Sequence, residues 1–155
     1  MGTASAAEPG AAGPHPAGRV PSLPERLASI LGDVLPVDEE PDGGLTVRHG
    51  DTFASLRVVN IAADLDLVSL TQILAWDLPL TKKVNDQVAR QAHDLNFGSV
   101  TVTEKAGDKT KGTPKTADVM LRYNFPGAGL TDDALRTLIL LVLDTGAGIR
   151  RALTA

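Results

Sequence analysis

Three histidines, one glycine- and lysine-bearing loop and a run of carboxylates are the residues of this 155-residue chain with the types and spacing to suggest chemistry. Metal binding needs two or more ligands held on one face. His15 lies in an Ala/Gly/Pro-rich stretch, His49 in the turn His49-Gly50-Asp51 and His93 on the polar side of a predicted helix, and none has a second ligand at metal spacing. The stretch from Gly107 to Thr113 has the look of a phosphate loop. It lacks the Gly-Lys pair that such a loop requires, because Gly112 is followed by Thr113, and it joins two predicted strands instead of opening a helix. Phe97-Gly98-Ser99-Val100 is a helix-to-strand turn and not a nucleophile elbow. Asp38, Glu39, Glu40 and Asp42 form a solvated charge run, with nothing to bury them and raise their pKa values. No cysteine is present for a thiol nucleophile, a disulfide or a thiolate metal site. The reading is a chain with no catalytic, cofactor or metal site, and not an enzyme.

Composition narrows the partners. A formal charge of -4 argues against a nucleic-acid surface, which needs clustered Lys and Arg to displace counterions from phosphate. The longest apolar run, Leu138 to Leu143, falls far short of the roughly 20 residues that span a bilayer. The start of the chain lacks the basic and apolar regions of a secretory signal. A soluble, cytoplasmic protein without nucleic-acid or membrane contacts is the expectation. Hydrophobic residues make up 43% and aromatics only 3%, so the core must be built from Leu, Val, Ile and Ala.

The positioning elements follow from periodicity. Residues 1–20 hold too little apolar surface to offset their ordering entropy and read as a disordered tail, with a partner-binding role as the other reading. Residues 21–155 form a single domain of ordinary size. Ser22-Leu23-Pro24-Glu25 is a capping box opening a first helix with Leu27, Ile30 and Leu31 on one face, ended by Gly32 near a left-handed cap. The acidic, proline-bearing residues 33–43 read as a loop. Strands then follow at Leu45–Arg48, Thr52–Val59 and Leu65–Trp76, the last with Val68, Leu70, Leu74 and Trp76 on one face and Gln72 interrupting it. Thr81 caps a second helix whose Val84, Val88, Ala92 and Leu95 share a face. Further strands run from Ser99 to Glu104 and from Ala117 to Phe125. Thr131, with Asp132 and Asp133 in the first turn and Leu130 and Leu135 as a hydrophobic staple, opens the last helix. The fold class is α+β, an antiparallel sheet of about five strands in the order α-β-β-β-α-β-β-α.

Two features bear on binding. The last two strands have one apolar and one polar face, so Thr101, Thr103, Asp118, Arg122 and Asn124 look outward, either as a plain solvated surface or as a platform for a peptide or second protein. Thr101, Asp118 and Arg122 are the candidate sheet-face contacts. The final helix is apolar all round over Leu138–Leu143, more than one sheet face can cover. Either the first helix or the loops cover its second side, or Leu138, Leu140, Leu141 and Val142 form a partner or homodimer surface. Trp76 and Tyr123, each the sole residue of its type, read as core side chains, with a ligand platform as the other reading. Lys105–Lys115 reads as a solvated basic hairpin tip.

The order of these elements resembles the YbjN-like family, whose fold is shared with type III secretion chaperones. The resembling residues are Asp77-Leu78-Pro79, Leu95-Asn96-Phe97-Gly98, Ala117-Asp118-Val119-Met120-Leu121-Arg122-Tyr123 and Leu130-Thr131-Asp132-Asp133-Ala134-Leu135, within residues 22–153. The resemblance implies a non-catalytic, chaperone-like protein, dimeric, that holds extended or partly unfolded peptide segments without a cofactor. A regulatory or scaffold module in bacterial signalling is the other functional reading.

Overall fold

The first helix starts where its capping box places it. In the computed structural model, which describes residues 20–107, 112 and 115–155, the Glu25 N–H donates to Ser22 Oγ at 3.3 Å and the Ser22 N–H to Glu25 Oε1 at 2.9 Å. These bonds satisfy two donors that a helix start leaves free. Helix α1 (Leu23–Gly32) buries Leu23, Leu27, Ile30 and Leu31. Its C-cap is Asp33 in right-handed geometry and not a left-handed glycine. His15, the expected tail up to residue 19, and residues 108–111, 113 and 114 of the basic loop lie outside the described residues.

Strands β1 (Val37–Glu39), β2 (Leu45–His49), β3 (Thr52–Ala62), β4 (Leu65–Pro79), β5 (Ser99–Lys105) and β6 (Thr116–Pro126) join in one antiparallel sheet, in spatial order β1-β2-β3-β4-β6-β5. Helix α2 (Lys82–Asp94) carries the chain from β4 past β6 to the far edge, where β5 pairs with β6. The class is α+β as read from the pattern, with six strands instead of five. The added strand is β1, inside the segment read as a loop. Its three residues follow Pro36 and precede Pro41, and two of them are acidic. A strand so short and charged blunts the sheet edge and leaves almost no periodic signal.

The core lies on one face of the sheet. Leu45 and Val47 of β2, Ala54 and Leu56 of β3, Val68, Leu70 and Leu74 of β4 and Val119, Leu121 and Phe125 of β6 meet α1 and helix α3 (Asp132–Thr154) there. Helix α2 buries no residue fully; Val84, Val88 and Leu95 are half-buried against the core edge, while Ala92, expected on the same face, is exposed. The side chains of α3 are shared between the sheet and the two other helices. Leu135, Ile139, Val142, Leu143, Ala147, Ile149 and Leu153 are buried, and Leu138 and Leu140 are half-buried. Leu141, at 53% exposure, is the large apolar side chain of this helix left open. The covering of the second side is therefore supplied mostly by the chain itself.

One polar group sits where α3 crosses the sheet. Gln72 is fully buried; its Nε2 donates to Thr52 Oγ1 at 2.8 Å and to the Leu143 carbonyl at 3.1 Å, while Oε1 has no partner among the described residues. Gly146 of α3 lies directly over the carboxamide, where any Cβ would overlap it. The glycine permits the close approach of helix to strand.

Candidate functional site

Among the described residues, α1 and α3 pack on the first face of the sheet, α2 sits at its edge, and no helix lies on the second face. Strand register places its residues in rows across the sheet. Arg48 of β2 is opposite Phe53 of β3, Phe53 opposite Ile73 of β4, Ile73 opposite Met120 of β6, and Met120 opposite Thr101 of β5. The next row runs Thr46, Ser55, Thr71, Arg122, Ser99. The first row is apolar at its centre: Phe53 is 51% exposed, and Ile73 and Met120 are half-buried. In a solvated sheet face an aromatic flanked by further apolar residues is the unusual observation. Strand parity predicts it, since Phe53 alternates with buried Thr52 and Ala54 and shares a face with Ser55 and Arg57.

Trp76 joins this surface through a break in the pleat. In β4, Leu74 and Ala75 together oppose Val119, and Trp76 and Asp77 together oppose Asp118. Each two-against-one irregularity is a bulge that shifts the alternation. Leu74 and Ala75 are both buried, and Trp76 emerges on the open side at 60% exposure. Trp76 was expected in the core beside Leu74. The bulges are the reason it is not. Asp77 has a φ of 51°, in the left-handed region that a non-glycine residue seldom occupies.

A small polar cluster holds this geometry. Asp118, only 7% exposed, accepts the Asp77 N–H at 3.0 Å through Oδ1, and Lys105 Nζ reaches both Asp118 Oδ1 at 3.0 Å and Asp77 Oδ1 at 2.8 Å. The Asp77 N–H, and then the Lys105 ammonium, hold the Asp118 carboxyl below its ordinary range despite burial. Hydrogen bonds to Asp77 and then Asp118 raise Lys105. Bulges that re-aim a side chain recur next to functional sites. What this one re-aims is the chain's single tryptophan.

The residues singled out from sequence fall in three places. Thr101 and Arg122 are on the open face, half-buried and exposed respectively. Asp118 is on the same side but is buried by its bonds to Asp77 and Lys105, so it positions the surface and does not offer itself to a partner. On α3, Val142 is fully buried and is corrected from a surface to a core position, because it shares the sheet-facing side with Ile139 and Leu143. Leu138 and Leu140 are half-buried, leaving Leu141. Phe53, Ile73 and Met120 are not among the sequence-derived candidates, and Trp76, read there as core in preference to a ligand platform, is exposed. Tyr123 is half-buried on the helix side, its ring 5.5 Å from Phe97 and 5.2 Å from Phe125.

Elsewhere, His49 pairs with Asp144 of α3 at 2.6 Å instead of with Asp51, and no nucleophile hydrogen-bonds to its ring among the described residues. A cleft of about 630 Å³ opens between α2 and the end of α3, rimmed by Lys82, Lys83 and Arg90. It brings together no nucleophile and base, and Lys82 is already engaged by Asp86 at 2.8 Å. Among the described residues no helix is long and apolar enough to cross a membrane. No protein-family model and no curated protein matches this chain.

Proposed function

We propose that this chain is a non-catalytic protein- or peptide-binding domain, chaperone-like in holding an apolar segment of its partner, and that it docks the partner on the open face of its sheet. The observation that carries this reading is the presentation of Phe53 and Trp76, with Ile73 and Met120, on a face that no helix covers among the described residues. Aromatic side chains of this kind anchor protein interfaces because they bury large area with few rotatable bonds. Covering the exposed parts of Trp76 and Phe53, roughly 200 Å² together, stabilises a complex by about 5 kcal/mol before association costs are subtracted. The resemblance to YbjN-like proteins and secretion chaperones points the same way.

Homodimerisation through α3 belongs to the same proposal in reduced form. Its surface is now Leu141 flanked by half-buried Leu138 and Leu140, since the chain covers the rest of the helix.

The docking proposal is tested with a permanently unfolded probe, a reduced and alkylated globular protein. Wild type binds the probe, and the double variant F53S/W76S loses at least about 10-fold in affinity while keeping its fold. Equal binding by both proteins would remove the open face from the account.

A further inference from the structure

We infer that the occupant of the open face, if that face is the docking surface proposed above, is an extended peptide segment with apolar residues between two carboxylates, clamped by Arg48 and Arg122. The inference rests on the distribution of satisfied and unsatisfied cations. Among the described residues, Arg48, Arg57, Lys105 and Arg122 are the cationic residues of this face. Arg57 is paired with Asp42, and Lys105 is held by Asp77 and Asp118. Arg48 and Arg122 are exposed and make no ion pair among the described residues. Asp38, opposite Thr46 on the neighbouring strand, is the carboxylate of this face closest in register to Arg48 among the described residues, and it makes no ion pair among them.

The two free guanidiniums stand at diagonal ends of the apolar row. Arg48 heads the row that continues through Phe53, Ile73 and Met120. Arg122 lies two residues beyond Met120 on the same strand and opposite Thr71. Three strand spacings and one two-residue step separate them, a distance of about 16 Å. An extended peptide covers that distance in about five residues. Guanidinium forks recognise carboxylates in bidentate geometry, so each end selects Asp or Glu while the apolar centre selects Leu, Ile, Val or an aromatic residue. The net charge of -4 gives no general attraction for an acidic ligand, so the preference must arise locally.

The test is selection of random twelve-residue linear peptides against the full chain and against the R48Q/R122Q double variant. Peptides selected by wild type carry an apolar centre with acidic residues about four to six positions apart. Peptides selected by the variant keep the apolar centre and lose the acidic flanks, and the best wild-type peptide binds the variant about 5- to 30-fold more weakly, as two rim ion pairs allow. Both positions are exposed, so the variant's melting curve matches that of wild type. An apolar centre without acidic flanks on wild type overturns the clamp and leaves the docking surface standing, whereas no apolar enrichment overturns both. Competition for the face by a single-stranded oligonucleotide, which free arginines beside aromatics also suit, overturns the peptide assignment.

Discussion

Replacing Gly146 by alanine tests how α3 is seated on the sheet. The added Cβ would overlap the carboxamide of Gln72. Gln72 has no free rotation to yield, because it is fully buried and bonded to Thr52 Oγ1 and to the Leu143 carbonyl. With the Cβ well inside contact distance of Gln72 Oε1, accommodation both breaks those two bonds, at about 1 kcal/mol each, and moves the helix, with an overpacking cost of about 1 to 3 kcal/mol. Against this stands a helix-propensity gain of about 1 kcal/mol for Gly to Ala. The net destabilisation of G146A is about 2 to 4 kcal/mol, a large share of the total for a domain of this size. Urea unfolding of wild type, G146A, Q72A and the double variant measures it. Removing the Gln72 side chain opens the space that the alanine methyl needs, so the double variant shows a favourable coupling of at least about 1.5 kcal/mol. If G146A is neutral or more stable, or if the two changes simply add, the close crossing is wrongly described.

Other expectations follow from the same geometry. F53S and W76S each lower the unfolding free energy read from urea curves by about 1 kcal/mol or less, because both side chains are more than half exposed; a larger loss marks them as core residues. V142A costs about 2 kcal/mol, whereas L141A costs under about 1, and equal costs would contradict the assignment of Val142 to the core and Leu141 to the surface. The Asp118 carboxylate is favoured in the folded state, so its contribution is present above the unfolded pKa and disappears as pH falls through the lowered native value. Urea midpoints of wild type and D118N therefore differ by a constant amount above about pH 5 and converge at lower pH; a gap that widens on acidification refutes the sign.

The helices were readable because their caps are local. Ser22 with Glu25, Thr81, and Thr131 with its acidic first turn mark the three starts within a few residues, and the structure begins its helices there. The hairpin strands were readable from alternation, as in Val119, Leu121 and Phe125, all buried on one side of β6. Strand β1 was not, because Val37–Glu39 is too short to show a period. Trp76 was misplaced for a different reason. A fixed alternation along β4 puts it beside Leu74, and only the pairing with β6 reveals the two bulges that turn it outward. The buried state of Asp118 depends on Lys105 and Asp77, 13 and 41 residues away, which no local pattern contains. Phe53 was within reach, since its parity with Ser55 and Arg57 already sets it on the polar side of its strand.

With one tryptophan in the chain, intrinsic fluorescence reports on a single site of the open face. Titration of the reduced, alkylated probe (stripped of its own tryptophan) into wild-type protein would move Trp76 from water into an apolar contact. The emission of Trp76 then shifts to the blue and becomes inaccessible to iodide, saturating with the binding curve, while F53S weakens the response. Binding of the probe with Trp76 emission unmoved and still quenched would contradict the claim that this face holds the partner.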